Sequence, residues 1–138
     1  MIKPLIADAG VIVADLDKRD NWHEWTLAQM RSLPLPFITC EPVITEACFL
    51  VAHLHDGTQK VLRLAAESVL QIDFSLAAEI EAVESLMKKY ENVPMSLTDA
   101  CLVRMSEMEA DAKIFTLDGD FIIYRKNGRQ QIPLIYPE

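Results

Sequence analysis

The sequence predicts an α/β domain built on a mainly parallel sheet, and three observations carry that prediction. Short apolar runs of strand length alternate along the chain with longer stretches of helical period. The first run, Ile2 to Ala7, is nearly continuous in apolar residues, as a strand covered on both faces requires. Capping and stopping residues (Pro34, Ser75, Pro94, Ser96) fall at the boundaries between these segments. With 138 residues and no linker, repeat or low-complexity segment, residues 1–138 are expected to form a single domain. A chain of this length buries about two-thirds of its unfolded surface.

In chain order, Ile2 to Ala7 reads as the first strand, and the apolar stretch from Asp8 to Leu16 as a short helix. From Asn21, the residues Trp22, Trp25, Met30 and Leu33 follow a helical period, with Asp20 as the expected N-cap and Pro34 as the stop. Phe37 to Thr39 is the second strand. Glu41-Pro42 opens a helix expected to run to about His53, because proline is tolerated in a first turn. Gly57 is read as a break, followed by a helix from Gln59 to Ser68 and a strand from Val69 to Phe74. Ser75 should cap a long helix whose Leu76, Ile80, Val83, Leu86 and Met87 share a face. Ser96-x-x-Asp99 has capping-box spacing and opens a helix to about Glu109. Lys113 to Leu117 is a strand. Phe121 to Tyr124 and Ile132 to Tyr136 are read as terminal strands around an Asn127-Gly128 turn.

Composition narrows the function. No run approaches the roughly 18 apolar residues of a membrane span, and the amino terminus does not read as a signal peptide. Cys40, Cys48 and Cys101 are an odd number without CxxC spacing, so reduced core residues of a cytoplasmic protein are expected. The net charge of -8 opposes nucleic acid binding when taken alone. That opposition fails if clustered acids hold a divalent cation, which then becomes the largest local charge.

Four acids stand out because each ends or interrupts apolar sequence: Asp8, Glu46, Asp99 and Asp118. Asp8 and Asp118 fall just past two predicted strands, and Glu46 and Asp99 fall early in predicted helices. In open α/β sheets that rim is where ligands bind. Two carboxylates about 4 Å apart repel by ~4 kcal/mol at an effective dielectric of 20, so gathering them calls for a cation. Oxygen ligands of this kind select Mg²⁺ or Mn²⁺, which also accept phosphate oxygens and make bound water easier to deprotonate. Each position also has a bland reading. Asp8 could end a strand, Asp99 could serve only the helix dipole, and Asp118 and Asp120 could form a turn around Gly119.

The segments Ile6-Ala-Asp8-Ala-Gly, Ile44-Thr-Glu46-Ala, Ser96-Leu-Thr-Asp99-Ala-Cys and Phe115-Thr-Leu-Asp118-Gly-Asp120-Phe resemble, in order, the signature blocks of PIN-domain ribonucleases. The likeness is greatest to VapC-type toxins of toxin–antitoxin pairs, and it spans Asp8 to Arg125. It implies a three-layer α/β/α domain, often dimeric, that cleaves RNA with Mg²⁺ or Mn²⁺ and is inhibited by a VapB-like antitoxin. It also implies that Asp8, Glu46, Asp99 and Asp118 are the catalytic metal ligands, with Thr116 and Asp120 as accessory groups. The sequence departs from the family at Ala9, where many members carry Ser or Thr. An RNA-processing or DNA-directed nuclease of the same fold, or a non-catalytic binding domain, are the alternatives.

Arg125, Lys126 and Arg129 form the densest basic segment, read either as contacts to RNA phosphates or as a solvated hairpin. His23, His53 and His55 are read as surface or partly buried residues with no role at the site.

Overall fold

The computed structural model describes residues 4–138 and has an α/β architecture with a five-stranded, fully parallel central sheet. Its elements are β1 (Leu5–Ala7), α1 (Ala9–Leu16), α2 (His23–Ser32), β2 (Phe37–Thr39), α3 (Glu41–Leu50), α4 (Gly57–Ala66), β3 (Leu70–Ile72), α5 (Leu76–Lys89), α6 (Leu97–Met108), β4 (Lys113–Phe115), α7 (Asp120–Ile123), β5 (Arg125–Lys126), β6 (Gln130–Gln131) and β7 (Leu134–Ile135). The strand order is β3-β2-β1-β4-β7, with Ile6 opposite Ile38 on one side and Ile114 on the other. The start of the first strand expected at Ile2 lies outside the described residues.

Burial follows the layering. All three residues of the central strand β1 are buried, whereas β3 and β7 at the edges are partly open. Ile6, Phe37, Ile114 and Phe115 meet Ile12, Leu102 and Met105 in one continuous core. Truncating any of these large side chains to Ala is worth about 2–5 kcal/mol. The rings of Phe37 and Trp25 flank Phe115 at centroid distances of 5.6 and 5.9 Å. α5 packs along α6, and Arg104 of α6 joins the two by donating to Glu79 of α5 (2.7 Å), while Glu107 of its own helix steadies the guanidinium (3.3 Å). Among the described residues no helix is long and apolar enough to cross a membrane.

Several boundaries differ from the sequence reading, each for a local reason. Phe121 to Ile123 is helical, not extended, and Tyr124 caps that helix in an extended conformation. Asp118 accepts from the backbone N–H groups of Asp120 and Phe121, winding the chain into a turn. Phe121 and Tyr124, three apart, are then both buried while Ile122 and Ile123 face outward. The Asn127-Gly128 turn, with φ of 50° and 88°, closes only the small β5–β6 hairpin, and β7 joins the main sheet instead. Gly57 does not break a helix but begins one, where a Cβ would fall 2.0 Å from the Val51 carbonyl oxygen. Asp20 is not the N-cap of α2: it accepts from Trp22 N–H (2.8 Å) in the preceding turn, and Trp22 takes the cap position. Ile80 is 52% exposed because Glu79 departs from helical geometry and turns the first residues of α5 out of phase.

Candidate functional site

The strand order creates the site. From β1 the chain builds β2 and β3 on one side, then returns to place β4 and β7 on the other. The connections diverge at the β1–β4 seam, and a crevice opens beyond the carboxyl ends of those two strands.

Asp8 leaves β1 directly into this crevice. Its backbone N–H donates to Phe115 O at the end of β4 (3.0 Å). Its Oδ1 accepts from Ala9 N–H (2.7 Å) and its Oδ2 from the Thr116 hydroxyl (2.7 Å). The same hydroxyl accepts from Asp118 N–H (3.0 Å), so Thr116 couples the two acids that follow the adjacent strands. Asp118 Oδ1 in turn accepts from Asp120 N–H (2.9 Å).

The other two acids arrive on helices. Ser96 and Asp99 form the expected capping box: Ser96 Oγ accepts from Asp99 N–H (3.0 Å), and Asp99 Oδ2 accepts from Ser96 N–H (3.4 Å). Oδ2 also accepts from the buried Tyr124 hydroxyl (2.9 Å), and Oδ1 has no hydrogen-bond donor among the described residues. Glu46, in the middle of α3, has no hydrogen-bond partner among the described residues.

The four sequence-selected acids line one cavity of about 410 Å³, together with Ala9, Leu50, Leu117 and Gly119. Asp120 does not line it, but carboxylate oxygens of Asp99, Asp118 and Asp120 lie within 4.8 Å of one another. Asp120 thus stands at the edge of the cluster. The electrostatics reflect the crowding. Burial, reinforced by Asp99 and Glu46, pushes the Asp8 carboxyl up to about 6 despite its bonds to Thr116 and Ala9. Glu46 is raised by burial and by the charges of Asp99 and Asp118. Asp99 is raised by burial, opposed by its bond from Tyr124. Among the described residues no cationic side chain lines the cavity. An all-oxygen donor set with this mutual repulsion fits a hard divalent cation.

The basic segment behaves differently from the phosphate-contact reading. Lys126 is 7% exposed, and its ammonium donates to Ser106 O (2.8 Å) near the carboxyl end of α6, where the helix dipole favours a cation. Burial therefore corrects the expectation that it meets RNA. The Arg125 guanidinium folds back onto the carbonyls of Ile122, Ile123 and Tyr124. Of the three, Arg129 is the exposed one, on the hairpin. His23 is buried against Ala14 O, while His53 and His55 pair with Asp17 and Asp56; none lines the cavity. Cys40, Cys48 and Cys101 are free thiols.

Sequence reasoning missed two features. Tyr124 contributes its hydroxyl to Asp99, and the available signal was its three-residue spacing from Phe121, which implies a buried tyrosine needing a partner. Beside the cavity, and sharing Glu46 with it, lies a larger apolar groove of about 750 Å³ lined by Phe49, Phe74, Leu76 and Leu97. Phe49, one helical turn beyond Glu46, is 79% exposed.

Comparison with known proteins gives one informative result. No protein-family model matches the chain. No curated protein matches it by sequence. Among solved structures, the fold is similar to that of VapC20 of Mycobacterium tuberculosis, described as a sarcin–ricin loop cleaving toxin. The TM-score is 0.77 over 84% of this chain and 91% of that one, at 17% sequence identity. The chain has the PIN-like fold of that toxin.

Proposed function

We propose that this chain, which carries the fold of a VapC toxin, is a metal-dependent endoribonuclease and the toxin of a toxin–antitoxin pair. The observation that carries the reading is convergence. Asp8, Glu46, Asp99 and Asp118 come from four separate segments and meet in one cavity at the carboxyl ends of β1 and β4. Burying several carboxylates together is costly unless a cation or a proton offsets them, and cation binding at such a rim is a function that would retain them.

In this reading Asp8, Asp99 and Asp118 hold Mg²⁺ or Mn²⁺, with Asp120 at the edge. When bound, the cation supplies Lewis acidity toward a phosphodiester and lowers the pKa of nearby water. The chain's own residues set the geometry. Thr116 fixes the Asp8 carboxylate and the backbone at Asp118 with a single hydroxyl. Glu46, raised by burial and by the charges of Asp99 and Asp118 and without a protein partner among the described residues, takes the proton from the attacking water in this reading. Ala9 offers only its N–H to the site, so a side-chain hydroxyl at that end comes from Thr116. With Lys126 buried and Arg125 folded back, attraction of a phosphate falls mainly to the cation.

RNA as substrate is supported by the likeness to VapC20, described as a toxin that cleaves the sarcin–ricin loop. A VapB-like antitoxin and a homodimer are supported by the exposed apolar groove beside the cavity, since surfaces of that kind mark protein contacts. We place the protein in the cytoplasm with its RNA.

The deciding experiment incubates the purified chain with structured RNA in Mg²⁺, in Mn²⁺ and in EDTA, beside Asp99→Asn and Asp118→Asn. Cleavage that needs a divalent cation and is lost in both folded variants is expected. Cleavage by the variants at the wild-type rate would refute the assignment.

A further inference from the structure

We propose that Tyr124 is a positioning residue of the acid pocket, acting through Asp99; this rests on the metal-site reading above. Tyr124 is fully buried and is the bulkiest enclosed side chain among the described residues. Its hydroxyl donates to Asp99 Oδ2 at 2.9 Å. Its ring is clamped edge-on between Tyr90 and Phe121, at centroid distances of 5.2 and 5.4 Å. The backbone on either side is fixed as well. Tyr124 N–H donates to Asp120 O (3.2 Å), and Arg125 N–H donates to the Tyr90 hydroxyl (2.8 Å).

This arrangement has a specific consequence. Asp99 belongs to α6, whereas Asp118 and Asp120 belong to the segment after β4, and their oxygens lie within 4.8 Å. Without a cation those carboxylates repel, and Asp99 gains by rotating away from the cluster. Tyr124 follows Asp120 by a single helical turn, so its hydroxyl ties Asp99 to the same segment that carries the opposing acids. By occupying Oδ2 it also leaves Oδ1 as the atom free to ligate. Groups that orient a metal ligand in this way typically change metal affinity by 10–100-fold when removed.

The test is Tyr124→Phe, with Mn²⁺ affinity measured by calorimetry and folding checked by circular dichroism. Mn²⁺ affinity about 10–100-fold weaker in the folded variant is expected. Thr26→Val, which removes a buried hydroxyl on α2 that takes no part in the cavity or in holding Tyr124, should keep wild-type affinity. Wild-type Mn²⁺ affinity in Tyr124→Phe, or an equal loss in Thr26→Val, would overturn the proposal. If Tyr124→Phe does not fold, the wild-type chain labelled with ¹³C at tyrosine Cζ carries the question. Mg²⁺ should then shift the Tyr124 resonance saturably, and a resonance unmoved at saturation overturns the proposal. A wild-type chain that binds neither ion overturns the metal-site reading and this one together, an outcome distinct from a Tyr124 variant that binds normally.

Discussion

Replacing Asp8 with Asn should stabilise the metal-free protein at neutral pH while removing its response to Mg²⁺. Asp8 is 7% exposed, and its carboxyl is raised from 3.8 to about 6, mainly by burial. At 1.36 kcal/mol for each pH unit between those values, holding it ionised at pH 7.5 costs about 3 kcal/mol. The sign follows from proton binding. The folded state holds this proton more tightly than the unfolded chain, so its stabilising contribution is full below pH 3.8 and is lost as pH rises through about 6. Asn has no such titration. It does give up one of the two hydrogen bonds from Ala9 and Thr116, at about 1 kcal/mol. Asp8→Asn should therefore be about 2 kcal/mol more stable than wild type at pH 7.5 in EDTA, and about 1 kcal/mol less stable at pH 3. Urea unfolding at both pH values, in EDTA and in millimolar Mg²⁺, reads all of this, and only the wild type should gain from the cation. A variant less stable than wild type at pH 7.5 without metal, or a difference flat in pH, would refute the claim that Asp8 is ionised at a cost.

Thr116→Val removes a buried hydroxyl that serves both Asp8 and Asp118 N–H, and should destabilise by about 1–3 kcal/mol in urea unfolding. Because that hydroxyl lowers the Asp8 carboxyl, the pH at which metal-free stability falls should also move upward. Gly57→Ala places a Cβ 2.0 Å from Val51 O and should cost more than about 1 kcal/mol, with Mn²⁺ affinity in the folded fraction unchanged. Lys126→Met should lower stability by up to about 2 kcal/mol, through loss of the cation at the carboxyl end of α6, and leave the salt dependence of RNA binding alone. Arg129→Ser should do the reverse, flattening the salt slope without a change in stability.

The features legible in the sequence are those with a local physical cause. The parallel sheet showed in β1, whose residues are apolar on both faces because both faces are covered. The capping box at Ser96 and Asp99 showed because its bonds join residues only three apart. The errors share a cause as well. Phe121 to Tyr124 is too short for its period to separate strand from helix, and the turn at Asp118 decided it. Gly57 looked like a break because the carbonyl that demands a glycine there belongs to the preceding turn. Lys126 looked like a surface cation because its partner, Ser106 O, is 20 residues away.

By itself, then, the sequence determined the fold class and named the four acids, since an acid set in apolar sequence is visible from its immediate neighbours. Only the tertiary structure decided that those acids share one cavity, that Thr116 bridges two of them and Tyr124 holds a third, and that Lys126 is withdrawn from the surface. Those facts depend on contacts such as Asp8 with Thr116, 108 residues apart, and Tyr124 with Asp99, 25 apart. Contacts at such separations come from strand order and helix packing, which no local pattern of residue types encodes.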